Sequence, residues 1–137
     1  MKKVFKLTSL FALFLFYTKS NAQLDTLNYL KAFEANKAQY IGKPFSGLLN
    51  DMTKIQPKAM WHNGPFNNKN IRTSSDLGFY DLSKGYEFNA ITFVVYWQDP
   101  VSATDANYYK IKNKNNFTSE EKNFFGNKII KDIMVYR

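Results

Sequence analysis

The sequence predicts an α+β domain, with two N-terminal helices followed by a mostly antiparallel sheet of about four strands and a helical insertion before the last strand. Three observations lead to this prediction. Apolar residues recur at helical spacing as far as Met52, and from Ile55 onward they alternate with polar residues. A capping-box motif then interrupts the strand pattern before the last apolar stretch. Helices followed by strands are typical of α+β folds.

Two helices are predicted before the strands. The first covers residues 24–41, where Asp25 can cap the start and Gly42 can end the helix. Its apolar positions on one arc are Leu27, Leu30, Phe33, Tyr40 and Ile41. Pro44 opens the second helix, since the first turn needs no proline N–H. Its apolar positions, at i, i+3, i+4 and i+7, are Phe45, Leu48, Leu49 and Met52.

Alternating patterns predict four strands, at residues 55–62, 71–81, 87–98 and 127–137. Pro57 confines the first strand to an edge of the sheet or to a strand start at that residue. The third is apolar on both faces, which predicts a central strand covered on both sides, and Asp99-Pro100 is expected to stop it. In the last strand we expect Ile129, Ile133 and Val135 on one face and Ile130, Met134 and Tyr136 on the other.

The stretch between the last two strands is too long for a structureless loop in a compact domain. Two short helices are predicted there. Residues 105–112 form the first. Thr118 and Glu121 form a capping box for the second, which carries Phe124 and Phe125 and ends at Gly126.

Residues 1–22 have the layout of a secretory signal peptide. Three early lysines precede an apolar run of about 11 residues, which is too short to span a bilayer. Ser20 and Ala22 are small residues suited to cleavage between Ala22 and Gln23. We therefore expect an exported protein, periplasmic or secreted, whose residues 23–137 form a single domain without a transmembrane segment.

Composition narrows the possible functions. The chain has no Cys and one His, which excludes disulfides, thiolate chemistry and multi-histidine metal sites, and we expect neither a metal nor a cofactor. The first 22 residues contain four Lys and no acidic residue, so cleavage lowers the net charge from +8 to +4. That charge is weak evidence for nucleic-acid binding, and no nucleic-acid partner is expected.

Two segments carry a resemblance. Residues 40–52, YIGKPFSGLLNDM, and residues 124–137, FFGNKIIKDIMVYR, resemble small uncharacterised exported bacterial proteins of this size. The resemblance implies no activity and no site residues.

His62 is the one side chain with an unperturbed pKa near neutrality. A periplasmic hydrolase would have to use it with an Asp partner, and the Asp candidates are Asp51, Asp76, Asp81 and Asp99. No GxSxG motif accompanies it. Asp76 lies mid-strand, where Asp is disfavoured, and Arg72 is expected on the same face as a possible ion-pair partner.

The surplus of aromatic residues favours binding over catalysis. Trp61 precedes an Asn-rich loop and Phe66 lies within it, and Trp and Tyr have the mixed polar and apolar character that interfaces use. The leading hypothesis is a small, non-catalytic binding module for an envelope protein or a glycan, using a sheet face or the 61–70 loop. Its candidate binding residues are Trp61, His62, Phe66, Arg72 and Asp76. The hydrolase remains the alternative.

Overall fold

The structure, a computed structural model, describes residues 25–85 and 89–137 as one α+β domain. Its helices and strands are, in chain order, α1 (Thr26–Ala35), α2 (Phe45–Asp51), β1 (Ala59–Asn63), β2 (Ile71–Gly78), β3 (Thr92–Ser102), α3 (Ala103–Asn113), α4 (Ser119–Gly126) and β4 (Ile130–Tyr136). The strands pair antiparallel in the order β1-β2-β3-β4. The predicted fold class is confirmed, whereas the predicted signal peptide and the start of the third strand at Glu87 lie outside the described residues.

Helix α1 is shorter than predicted. Asp25 caps it as expected, with its side chain accepting from the Asn28 N–H at 3.2 Å. The helix ends at Ala35 rather than near Gly42, because the Asn36 side chain bonds back to the Ala32 carbonyl at 2.9 Å and a 3₁₀ turn follows. Gly42, with φ of 77°, instead turns the chain so that its N–H donates to the Ile130 carbonyl of β4.

Helix α2 follows Pro44 directly, as predicted, and its apolar side chains are fully buried. Helices α1, α2 and α4 supply one side of the core, which lies against a single face of the sheet. Phe45 of α2, for example, meets Trp97 of β3 edge-on at 5.4 Å between ring centroids. The two helices of the insertion, α3 and α4, confirm the predicted pair, and both hydrogen bonds of the Thr118–Glu121 capping box are present.

Strand β3 continues to Ser102 and corrects the prediction that Asp99-Pro100 stops it. Pairing with β4 ends where Trp97 lies opposite Ile130, followed by one bond from the Gln98 N–H to the Ile129 carbonyl. The last paired residues of β3, Val101 and Ser102, lie opposite β2 alone. The register with β2 shifts between Arg72 and Ser74, which leaves the stretch around Pro100 bulged out. A proline is tolerated there because no second neighbour needs its N–H.

Strand β4 contains a bulge that the alternating pattern did not predict. Asp132 pairs with Tyr96 but Ile130 pairs with Trp97, so Lys131 is an extra residue. The bulge places Ile130 in the core with Ile133 and Val135. The expectation that Ile130 shares a face with Met134 and Tyr136 was therefore wrong.

Both outer strands are engaged along part of their free edges. Beside β1, which is an edge strand as predicted, the Met60 N–H donates to Asn115 and the Phe117 N–H donates to Lys58. Beside β4, the Glu34 carboxylate accepts from the Val135 N–H at 3.1 Å. Engaged edges discourage further strand addition.

Candidate functional site

Within residues 25–85 and 89–137, helices cover one face of the sheet and leave the other face open. In register across the four strands, the core-facing rows run Met60, Leu77, Phe93, Val135 and His62, Ser75, Val95, Ile133. The open-face rows run Trp61, Asp76, Val94, Met134 and Asn63, Ser74, Tyr96, Asp132. Met134 and Tyr136 are 43% and 50% exposed on this open face. The expectation that β3 is covered on both sides is met only in part: the described helices pack on one face, while on the other face Val94 is 3% exposed and Tyr96 is half-buried.

A pocket of about 410 Å³, here called the open-face pocket, occupies one part of the open face. Its lining consists of Trp61, Asp76, Gly78, Tyr80 and residues 89–92. This volume is within the range of small-ligand sites. A neighbouring hollow of about 460 Å³ includes Asp25 and Arg137, whose polar groups are already used to cap α1 and to bond the Asn89 carbonyl.

The Trp61 ring forms one wall of the open-face pocket. It packs over Gly78, where an added Cβ would approach the Trp61 Cζ3 to 2.9 Å, and it stacks on Tyr80 with centroids 6.2 Å apart. Any other residue at position 78 would displace the ring. The glycine is therefore needed for the close approach of Trp61 to β2.

The opposite wall of the open-face pocket, at Asn89, is held in place by Arg137. Asn89 adopts φ of 59°, which asparagine tolerates better than most residues, and its carbonyl accepts from the Arg137 Nε at 3.1 Å. This bond ties the wall of the open-face pocket to the end of β4.

Asp76 is half-buried beside Trp61, its direct partner across the β1–β2 pair. Burial raises its pKa above the ordinary value, and a hydrogen bond from the Asn63 side chain partly offsets the rise. Burial and the nearby groups of Asp76 and Tyr96 raise the pKa of Tyr136 as well. Within residues 25–85 and 89–137, the ion pairs are Lys31–Glu34, Lys37–Asp132 and Lys112–Glu120, so Asp76 has no cationic partner there.

Arg72 does not pair with Asp76, which corrects the expected ion pair. Its Nη1 donates to the carbonyls of Lys69 and Ile71 at 3.0 and 2.9 Å, beside Gly64 in the hairpin. The pairing of β2 with β3 shifts register between Arg72 and Ser74, so the regular ladder is interrupted between Arg72 and Asp76. Phe66 is fully exposed in the hairpin loop.

His62 points to the core side of the sheet. Its ring stacks on Phe125 at 4.7 Å and its Nδ1 lies 2.8 Å from the Ser75 Oγ. The Ser75 Oγ also accepts a hydrogen bond from the Trp97 Nε1 at 3.0 Å, so the Ser75 hydroxyl proton is available for His62 Nδ1. If Nδ1 accepts that proton in a hydrogen bond, the neutral His62 ring carries its own proton on Nε2. That Nε2 is buried without a hydrogen-bond partner.

The surroundings of His62 keep it neutral. Burial lowers its pKa to about 4, and the nearby positive charges of Arg72 and Lys110 add to the effect. Ser75 is fully buried. The arrangement couples a serine and a histidine, but the shift in the His62 pKa comes from burial and cations rather than from an orienting carboxylate.

Of the five predicted binding residues, the structure brings Trp61 and Asp76 together in the open-face pocket and places His62, Phe66 and Arg72 elsewhere. Sequence reasoning missed Gly78, Tyr96 and Tyr136. The alternation of β3 and β4 already put Tyr96 with Val94 and Tyr136 with Met134, which is the signal that could have found the two tyrosines.

In the part of the chain that the structure describes, no group of three or more His, Asp or Glu residues lies together in a way that could hold a metal ion. No described helix is both long enough and apolar enough to cross a membrane.

Comparisons with protein families, curated proteins and solved structures found no match to this chain.

Proposed function

We propose that the protein is a small exported, non-catalytic binding module, and that the open face of its sheet binds a protein partner of the cell envelope. The observation that carries the proposal is the open-face pocket, where a half-buried carboxylate lies beside an indole ring on a sheet face that the described helices leave uncovered. Partly buried charge without an ionic partner costs stability, so its presence on this face favours a role in recognition.

The composition of the open face supports a protein partner over a glycan. Tyr, Trp and Met are enriched in the buried centres of protein interfaces, and this face presents Trp61, Tyr96, Met134 and Tyr136 around small residues of β2. The face extends across all four strands. It can therefore contact a segment of polypeptide as well as the side chain that enters the pocket.

The surroundings of His62 support a non-catalytic role. A general base works best with a pKa near the operating pH, whereas burial and neighbouring cations hold the pKa of His62 at about 4. The serine beside it is fully buried and also bonded to Trp97. Export is supported by the basic, apolar and small-residue pattern of residues 1–22, and the location is the periplasm or the medium.

Site-specific photocrosslinking in the native envelope tests this function. A photoreactive phenylalanine analogue replaces Tyr136 on the open face or, as a matched control, Ile111, which is 77% exposed on α3. We expect a defined protein adduct from position 136 that position 111 does not give. Adding Trp61→Ala should remove the adduct, whereas adding Phe66→Ala at the hairpin loop should leave it.

Three results would contradict the proposal: no adduct from position 136, the same adduct from both positions, or an adduct that Trp61→Ala leaves unchanged. An adduct whose added mass is removed by glycan-cleaving enzymes would replace the protein partner with a glycan. The circular dichroism spectrum of each variant verifies folding before crosslinking.

A further inference from the structure

Among the described residues that line the open-face pocket, Asp76 is the one with a charged side chain. Asp76 lies in the middle row of the open face, between Trp61 of β1 and Val94 of β3. Its described side-chain hydrogen bond comes from the neutral amide of Asn63, and none of the three ion pairs among the described residues includes Asp76. A ligand that supplied a positive charge would compensate the desolvated carboxylate.

The walls of the open-face pocket also suit a cation. The faces of Trp and Tyr rings attract Lys and Arg groups, most strongly where water is excluded. Trp61 and Tyr80 line the pocket, and Tyr136 is close enough to Asp76 for their charges to interact. A carboxylate combined with aromatic rings offers a cation both an ion pair and ring faces.

We propose that the open-face pocket recognises a cationic side chain, a Lys ammonium or an Arg guanidinium, presented by the protein partner. This inference rests on the proposed binding function and adds the chemical class of the group that is bound. An anionic group would be repelled by Asp76, and a neutral group would leave the carboxylate without a counter-charge. The pocket volume of about 410 Å³ accommodates one long side chain with its flanking backbone outside.

The attraction is local to the pocket. The chain without residues 1–22 carries a net charge of +4, so the protein as a whole repels cations at long range. Specificity for a cation therefore depends on Asp76 and its aromatic neighbours.

Titration of residues 23–137 with short capped peptides tests the inference by amide NMR. The probes are acetyl-Gly-Lys-Gly-amide, the matched neutral acetyl-Gly-Gln-Gly-amide, and spermidine. The Lys peptide should shift the amide signals of Trp61, Asp76 and Gly78 and should bind at least about tenfold more tightly than the Gln peptide.

Three variants separate charge from shape. Asp76→Asn should weaken binding of the Lys peptide by about tenfold or more, whereas Asp99→Asn, an equal change of charge at an exposed position of β3, should not. Gly78→Ala leaves the carboxylate in place but pushes on the Trp61 ring, and it should also weaken binding. Amide signal dispersion verifies that each variant is folded.

The outcomes distinguish this inference from the proposed function. The Lys and Gln peptides could bind equally, with binding lost in Trp61→Ala but kept in Asp76→Asn. That result overturns recognition of a cation while supporting the open face as a binding surface. Lack of binding by the Lys peptide up to about 10 mM overturns the cation inference, and photocrosslinking at position 136 then decides the binding function independently. If spermidine binds more tightly than the Lys peptide, the inference that the bound cation is a protein side chain is overturned.

Discussion

Replacing Glu121 with Gln should remove a pH-dependent loss of stability. Glu121, in the first turn of α4, is fully buried, and its Oε2 accepts from the Thr118 N–H at 3.2 Å. Burial raises the pKa of Glu121 from an ordinary value of 4.5 to about 7, hydrogen bonds from the Thr118 N–H and the Asn113 side chain partly offset the rise, and the charge of Glu120 adds to it. A glutamine can make the same capping-box bond without a charge.

The size of the effect follows from the two pKa values. Below pH 4.5 the carboxyl group is protonated in both the folded and the unfolded protein, so it does not affect stability. As the pH rises from 4.5 to 7 the unfolded form loses its proton first, and folding becomes less favourable. With the pKa at about 7, the loss approaches about 3 kcal/mol at pH 8.

Urea denaturation from pH 4 to pH 8 measures this effect. The difference in the free energy of unfolding between Glu121→Gln and the parent should grow by about 3 kcal/mol over that range in favour of the variant. Glu120→Gln is the matched control, because Glu120 is half exposed and forms a surface ion pair with Lys112. Parallel stability curves for Glu121→Gln and the parent would refute the reasoning.

Three further predictions concern the packing around the sheet. Phe125→Ala should lower the free energy of unfolding by about 3–5 kcal/mol in urea denaturation, because the ring is fully buried against His62 and Trp97, and a loss below about 1 kcal/mol would contradict that packing. The imidazole NMR signal of His62, the single histidine, should stay that of the neutral form from pH 8 down to about pH 5, since its pKa is lowered to about 4, and titration near 6.5 would argue against its burial. This lowered pKa also means that stability contributed by neutral His62 is lost as the pH falls from 6.5 toward 4. Glu34→Ala should raise the hydrogen-exchange rate of the Val135 amide by about tenfold, whereas Glu34→Gln keeps an acceptor oxygen and should change it little; equal rates in the two variants would contradict the edge contact.

Local signals in the sequence predicted most of the helices and strands. Asp25 and the Thr118–Glu121 capping box form hydrogen bonds between residues three positions apart. The apolar residues of α2 recur within two helical turns. Such features depend on neighbours in the chain, which a single sequence displays.

The errors came from contacts between distant segments. Pro100 continues β3 because β4 has already ended its pairing beside it, and the bulge at Lys131 depends on the register between two strands. Neither condition can be read from one strand alone. The early end of α1 has a local cause, because the Asn36 side chain bonds to a carbonyl four residues back. This signal was present in the sequence, but the prediction gave more weight to the apolar pattern.

The candidate site was predicted in part for the same reason. Trp61 and Asp76 stood out as an aromatic residue near a loop and an acid within a strand, but they are 15 positions apart and only the register of β1 with β2 makes them neighbours. Gly78 gave no signal, because its role depends on a ring from the adjacent strand.

The engaged edges of β1 and β4 affect how a partner can approach. Peptide groups of Met60 and Val135 that would pair with an incoming strand already have acceptors in Asn115 and Glu34. Under the proposed function, a polypeptide partner that contacts the open face of the sheet is therefore recognised by side chains instead of by backbone pairing. Because exposed side chains can be exchanged without disturbing the ladder beneath them, selectivity for partners can change by single substitutions while the scaffold persists.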